Sequence, residues 1–172
     1  MKNNFFFLIL LIIIGCSPQP VVYEKISCPE VLYSEEHDQF VSFKGEEIDL
    51  NKVSYIAQIN NYAFDSDCLI NKEKAYVDLS LLFVVKPGYL EDSNIFLPFY
   101  IATINNQNEI IDMQYYNTNG NFNIDDVTKI FVETELREKI RIKLVYKYIE
   151  EIPSNTLVIG FMLNKKQLEI LN

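Results

Sequence analysis

His37, the chain's one histidine, and the cysteines Cys16, Cys28 and Cys68 are the residues best suited to catalysis, metal binding or redox work. His37 sits in the acidic run Ser34-Glu35-Glu36-His37-Asp38-Gln39, where the adjoining Asp38 would suit it to general-base or metal-ligand duty. A polar run ahead of a strand equally describes an exposed loop histidine, and that is the expectation. No serine stands in the Gly-x-Ser-x-Gly turn that presents a nucleophile. Asp65-Ser66-Asp67 and Asn117-Thr118-Asn119-Gly120-Asn121 offer the alternating side-chain oxygens that calcium takes. Neither fits an EF-hand loop: the first lacks the turn glycine, the second the leading acids and the closing glutamate. Both read as turns that satisfy their own backbone. No cofactor and no metal is expected, and no enzyme, because catalysis needs convergent polar groups that the sequence does not present.

Two features can instead recognise a partner. Lys139, Arg141, Lys143 and Lys147 make a basic stripe in an otherwise acidic chain, able to dock an acidic partner or lipid headgroups. Such stripes also serve as solvated strand faces that discourage edge pairing. Tyr115, Tyr116, Tyr146 and Tyr148 could form a recognition patch, since tyrosine gives large contact area with few rotamers, but core packing explains them as well.

Residues Phe5 to Ile14 are all apolar, follow a start bearing Lys2, and lead into Gly15-Cys16. At ~1.5 Å per residue such a run covers about 15 Å, half of a bilayer's hydrocarbon core, so it does not predict a permanent transmembrane helix. A buried amphipathic helix would need a polar face, and this run has none. The length suits the apolar region of a secretory signal. The whole resembles a bacterial lipoprotein signal with Ile13-Ile14-Gly15-Cys16 as its lipobox. By that resemblance residues 1–15 are removed, and Cys16 starts the mature chain with lipid on its sulfur and amino group. Ser17 follows, with no aspartate to retain the protein at the inner membrane, so the expected address is the inner leaflet of the outer membrane. With Cys16 spent on lipid, Cys28 and Cys68 remain as a pair, expected to bond in an oxidising periplasm. A two-cysteine metal site would need further ligands, and His37 is the single histidine on offer.

The chain of 172 residues carries a net charge of −9, and losing residues 1–15 makes it one unit more acidic still. That balance argues against nucleic acid and against anionic lipid surfaces as partners of the folded part. A hydrophobic fraction of 49% excludes disorder. Residues 16–25, with Pro18 and Pro20, read as a lipidated cysteine and short tether, and residues 26–172 as one domain.

The elements that must hold these residues are strands. Short strands are expected at Val31–Tyr33 and Phe40–Phe43, and a longer one over Val53–Phe64. The strongest lies at Ala75–Val85, where alternate residues are apolar and the other face turns apolar at Leu82, as in a central strand covered on both sides at one end. Phe96–Ile104 contains Pro98 and so reads as an edge or a strand start, turning at Asn105–Asn108 into a partner over Glu109–Tyr116. Asn117–Asp126 reads as a loop, and Lys129–Glu135 with Glu138–Tyr148 as a hairpin. Thr156–Leu163 is the last strand, and Asn164 caps a closing turn of helix over Lys165–Leu171. Strands so spaced predict an all-β, immunoglobulin-like antiparallel two-sheet sandwich with a short C-terminal helical turn; a small closed barrel is the alternative.

Three stretches resemble a family of uncharacterised alphaproteobacterial lipoproteins: Cys28-Pro29-Glu30-Val31-Leu32; the strand ending in Asp67-Cys68 with Val77-Asp78-Leu79-Ser80-Leu81; and Leu157-Val158-Ile159-Gly160-Phe161-Met162-Leu163-Asn164, leading to Gln167-Leu168. The resemblance spans most of the mature chain and implies a small lipid-anchored periplasmic domain without an assigned activity. The function expected is a non-enzymatic interaction or structural module of the cell envelope, tethered to the membrane through Cys16 and engaging an envelope protein. A carrier of a small hydrophobic ligand, held between the sheets, is the alternative.

Overall fold

The computed structural model describes residues 23–44, 52–70, 75–89, 93–146 and 149–171. They form a mostly β fold with two main sheets and one short C-terminal helix. In the larger sheet, β6 (Ala75–Pro87) is the centre. One flank of β6 pairs in succession with β4 (Val53–Phe64) and β5 (Cys68–Ile70), and the other pairs with β11 (Thr134–Leu144). Outside these lie β3 (Gln39–Phe43) against β4 and β1 (Glu24–Ile26) against β5. The smaller sheet runs in the order β2 (Glu30–Tyr33), β12 (Thr156–Phe161), β7 (Asn94–Ile104), β8 (Ile110–Asn121). A ribbon of β9 (Asn123–Ile124) and β10 (Phe131–Val132) stands apart.

Alternation drives this arrangement. Along β6 the side chains of Ala75, Val77, Leu79, Leu81, Phe83 and Val85 all point into the core, as the period of a pleated strand requires. Leu157, Ile159 and Phe161 do the same on β12, and Ile140, Ile142 and Leu144 on β11. The two inner faces meet directly: the Phe83 ring lies 5.3 Å from that of Phe99 and 5.8 Å from that of Phe161. A polar strut joins them at one end, where the Tyr55 hydroxyl donates to the Phe96 carbonyl (2.9 Å) and accepts from the Phe96 amide (3.1 Å). Cys28 and Cys68 form a disulfide, their Cα atoms 5.2 Å apart, tying the segment ahead of β2 to the start of β5.

Several expectations need correction. Not all pairing is antiparallel, because β2 runs parallel to β12. Pro98 does not mark an edge: β7 lies between β12 and β8. Within a strand a residue's N–H and C=O point the same way, and the Pro98 carbonyl accepts from Met162, just past the end of β12. The missing proline donor therefore falls on the β12 side opposite Met162, one residue past the last paired residue, Phe161, so no pair within the β12–β7 ladder goes without its donor. Asn117–Asn121 is not a loop but the second half of β8, with the asparagines outward and Thr118 buried. The segments around 129–144 do not form one hairpin, since β10 pairs with β9 and β11 with β6. β1 starts at Glu24, inside the stretch read as tether.

The C-terminal helix α1 (Lys165–Leu171) begins as the sequence predicts. Asn164 accepts the Gln167 amide on Oδ1 (3.0 Å) while Gln167 accepts the Asn164 amide on Oε1 (2.8 Å), a reciprocal capping box. The Gln167 Nε2 then donates to the Val41 carbonyl (2.7 Å), which pins the helix to β3.

Candidate functional site

Cys16 and Lys147 lie outside the described residues, as do Phe5–Gly15 and Tyr148. The other members of the basic stripe, Lys139, Arg141 and Lys143, project from the outer face of β11. Two of them are engaged with nearby acids, Asp78 on β6 and Asp65 just past the end of β4. Arg141 donates from Nε to Asp78 Oδ1 (2.6 Å) and from a terminal nitrogen to Asp78 Oδ2 (2.8 Å), a two-pronged contact across the β6–β11 register. This bond holds the Asp78 carboxyl below the usual aspartate range and raises Arg141 above its own. Lys139 lies 3.7 Å from Asp65. Positive charge on this face is thus largely balanced locally.

The oxygen-rich runs are also occupied. Asp65 accepts from the Ser80 hydroxyl (2.6 Å), and Asp67 pairs with Lys25 (2.8 Å). Among the described residues, no three His, Cys, Asp or Glu side chains converge as metal ligands would. No helix of the described residues is long and apolar enough to cross a membrane.

His37 is half-buried rather than a freely exposed loop residue. Its Nδ1 lies 3.0 Å from the Tyr100 hydroxyl, and the two rings meet edge to face at 5.7 Å. The loop itself bridges the sheets: Ser34 donates to the Ile159 carbonyl, Phe161 donates to the His37 carbonyl, and Ile59 donates to the Asp38 carbonyl. Gly160 makes room for this, since a Cβ there would meet the Tyr100 hydroxyl at 2.7 Å and the His37 Cβ at 2.9 Å. The geometry positions a crossing loop. It supplies His37 with a phenol partner and not with the carboxylate that would orient a general base.

The outer face of the smaller sheet carries exposed apolar side chains that sequence reasoning missed, beside the outward asparagines of β8 and the His37 loop over Gly160. Register places Leu32, Val158, Ala102 and Met113 side by side across all four strands, and Gly160, Tyr100 and Tyr115 in the next row. Tyr115 is 63% exposed, Phe96 50%, Leu32 47% and Met162 42%. The four tyrosines do not share one patch. Tyr115 faces outward, whereas Tyr116 stacks on Phe99 at 5.5 Å and Tyr146 packs against the core. Burial and the neighbouring Asp112 raise the Tyr116 phenol above its ordinary value.

The chain matches no protein-family model, and no characterised protein or solved structure is measurably similar to it. The fold therefore defines a class and no more: a mostly β, two-sheet protein closed by one disulfide.

Proposed function

We propose that the chain is a lipid-anchored, non-enzymatic interaction module of the bacterial envelope. In this reading it is an immunoglobulin-like sandwich in general architecture, held through Cys16 at the inner leaflet of the outer membrane, and a relative of the alphaproteobacterial lipoproteins it resembles. The observation that carries the interaction role is the set of large apolar side chains exposed at separate points on the outer face of the smaller sheet, Leu32, Phe96, Tyr115 and Met162. Aromatic side chains displayed on a rigid sheet give contact area at low entropic cost, as partner-binding surfaces require. The carrier alternative has less support, because Phe83, Phe99 and Phe161 occupy the space between the sheets.

Affinity capture of the full lipoprotein from its own envelope, beside a Tyr115→Glu variant, tests the role. A reproducible envelope protein lost with Tyr115→Glu is expected; no partner, or the same partner from both, overturns it. The anchor has a separate test, since a Cys16→Ser variant should escape lipidation and leave the membrane fraction. A variant that stays membrane-bound and correctly processed overturns it.

A further inference from the structure

The larger sheet carries, on its own outer face, a polar trough lined by solvent-facing side-chain amides. Two adjoining concavities of about 570 and 340 Å³ lie along β6. Their floor is apolar: Ile56, Val84 and Leu82 face outward there. This is the end of β6 whose alternation predicts a second covered face, yet no second layer of the described residues covers it, and Val84 and Leu82 remain half-exposed. A bulge in β4 between Ile59 and Asn61 turns two consecutive asparagines, Asn60 and Asn61, to this side. Gln58 and, across the strand register, Gln39 add two more amides.

The side-chain amides of Gln39, Gln58 and Asn60 make no hydrogen bond to any described residue, and each offers two donors and an acceptor. The opposite wall is charged but paired, with Lys86 against Glu133 at 3.8 Å and Arg137 against Glu135 at 3.3 Å. It has no net sign with which to attract an ionic ligand. Free bifunctional amides beside an apolar strip suit a molecule whose edge is all hydroxyls and whose flat face is C–H, which describes a pyranose ring. From Lys86 to Ser80 the trough extends about 20 Å at the rise of a β-strand, room for roughly four linked rings.

We propose that this trough is a binding site for a neutral oligosaccharide, with Gln39, Gln58 and Asn60 bonding its hydroxyls and Ile56, Val84 and Leu82 contacting its ring faces. The site lies on the other sheet from the exposed apolar side chains, so the two readings fail independently.

The test is saturation-transfer NMR on the full protein in a detergent without a sugar headgroup. Neutral tetrasaccharides of glucose, N-acetylglucosamine, galactose and mannose are the probes, and tetra-alanine amide stands for an extended peptide. At least one sugar should give transfer, and a Gln58→Ala/Asn60→Ala variant should weaken its affinity tenfold or more. Both positions are exposed, so the variant should keep the wild-type melting temperature, which separates loss of binding from loss of fold. Leu82→Glu, which places a charge in the floor, should abolish the signal. No transfer from any sugar at millimolar concentration, transfer from the peptide alone, or sugar binding unchanged in the double variant overturns the proposal.

Discussion

Gln114 of β8 holds Lys143 of β11 by both of its backbone polar groups. The glutamine Nε2 donates to the Lys143 carbonyl (2.7 Å), and its Oε1 accepts the Lys143 amide (3.3 Å). A side-chain amide thus stands in for one rung of a ladder, joining an outer strand of the smaller sheet to an outer strand of the larger. Gln114 is itself fixed by Asp112, which accepts from Nε2 (2.8 Å), and by the Tyr116 hydroxyl, which donates to Oε1 (3.0 Å).

Gln114→Ala should therefore cost about 1–2 kcal/mol, the usual penalty for leaving several partly buried groups without partners. The loss should appear in urea unfolding, and hydrogen exchange at the Lys143 amide should accelerate more than at Ile142, which sits in the β6–β11 ladder. Gln114→Glu should cost more than alanine at neutral pH, because a carboxylate would face both Asp112 and the Lys143 carbonyl. Equal exchange at Lys143 in wild type and Gln114→Ala would show that the seam bears no load.

The Cys28–Cys68 disulfide spans a sequence separation of 40 residues. In the chain-entropy description, closing a loop of that size stabilises the folded state by about 4 kcal/mol. A Cys28→Ser/Cys68→Ser variant should lose roughly that much, equivalent to about 10 °C in melting temperature for a chain of this size. Loss of less than ~1 kcal/mol would place the constraint elsewhere, in the core that already buries Cys68.

What the sequence made legible, and what it hid, follows from how local each signal is. The β6 alternation is a property of consecutive residues, so Ala75 to Val85 could be assigned a buried face without knowing its neighbours. The Asn164 cap needed Gln167 three residues on and nothing more. Pro98 misled because a lost donor matters only if a strand lies on that side, and the end of β12 at Phe161 is a tertiary fact. Asn117–Asn121 is turn-like in composition, yet β7 pairs with it throughout, which overrides the local preference. The parallel pairing of β2 with β12 joins residues more than a hundred positions apart and leaves no local trace. The trough and the exposed apolar side chains of the smaller sheet escaped notice for the same reason. Each is assembled from outward residues of several strands that are unremarkable singly.

Asp78 and Arg141 give the fold an acid-sensitive contact. The Asp78 carboxyl ionises at lower pH when folded than when unfolded, chiefly because Arg141 hydrogen-bonds its charged form. Linkage then fixes the sign: the stabilisation is present above the unfolded aspartate value of about 3.9 and is lost as pH falls through the lower folded value. Asp78→Asn should lower stability at pH 7 by only the small amount that an exposed pair contributes, and should flatten the fall in stability below about pH 4 by that same amount. Circular dichroism along an acid titration measures this. Acid limbs that superimpose for the two proteins would mean that other carboxylates govern the transition.

Thr103 faces the core from β7, fully buried, and its hydroxyl Oγ1 is without a hydrogen-bond partner among the described residues. A threonine-to-valine change is ordinarily not neutral in a core, because it usually removes a satisfied hydroxyl. Here the hydroxyl is buried without a protein partner among the described residues, and a buried hydroxyl left unpaired costs about 1–3 kcal/mol. Valine keeps the branched shape and restores an apolar contact in its place. Thr103→Val should therefore raise stability by about 1 kcal/mol, with a melting temperature higher by roughly 2–4 °C. Thr103→Ser, which keeps the hydroxyl and deletes the methyl, should go the other way. A destabilised Thr103→Val would reveal that the hydroxyl is satisfied after all, most simply by a buried water bridging it to a neighbouring carbonyl.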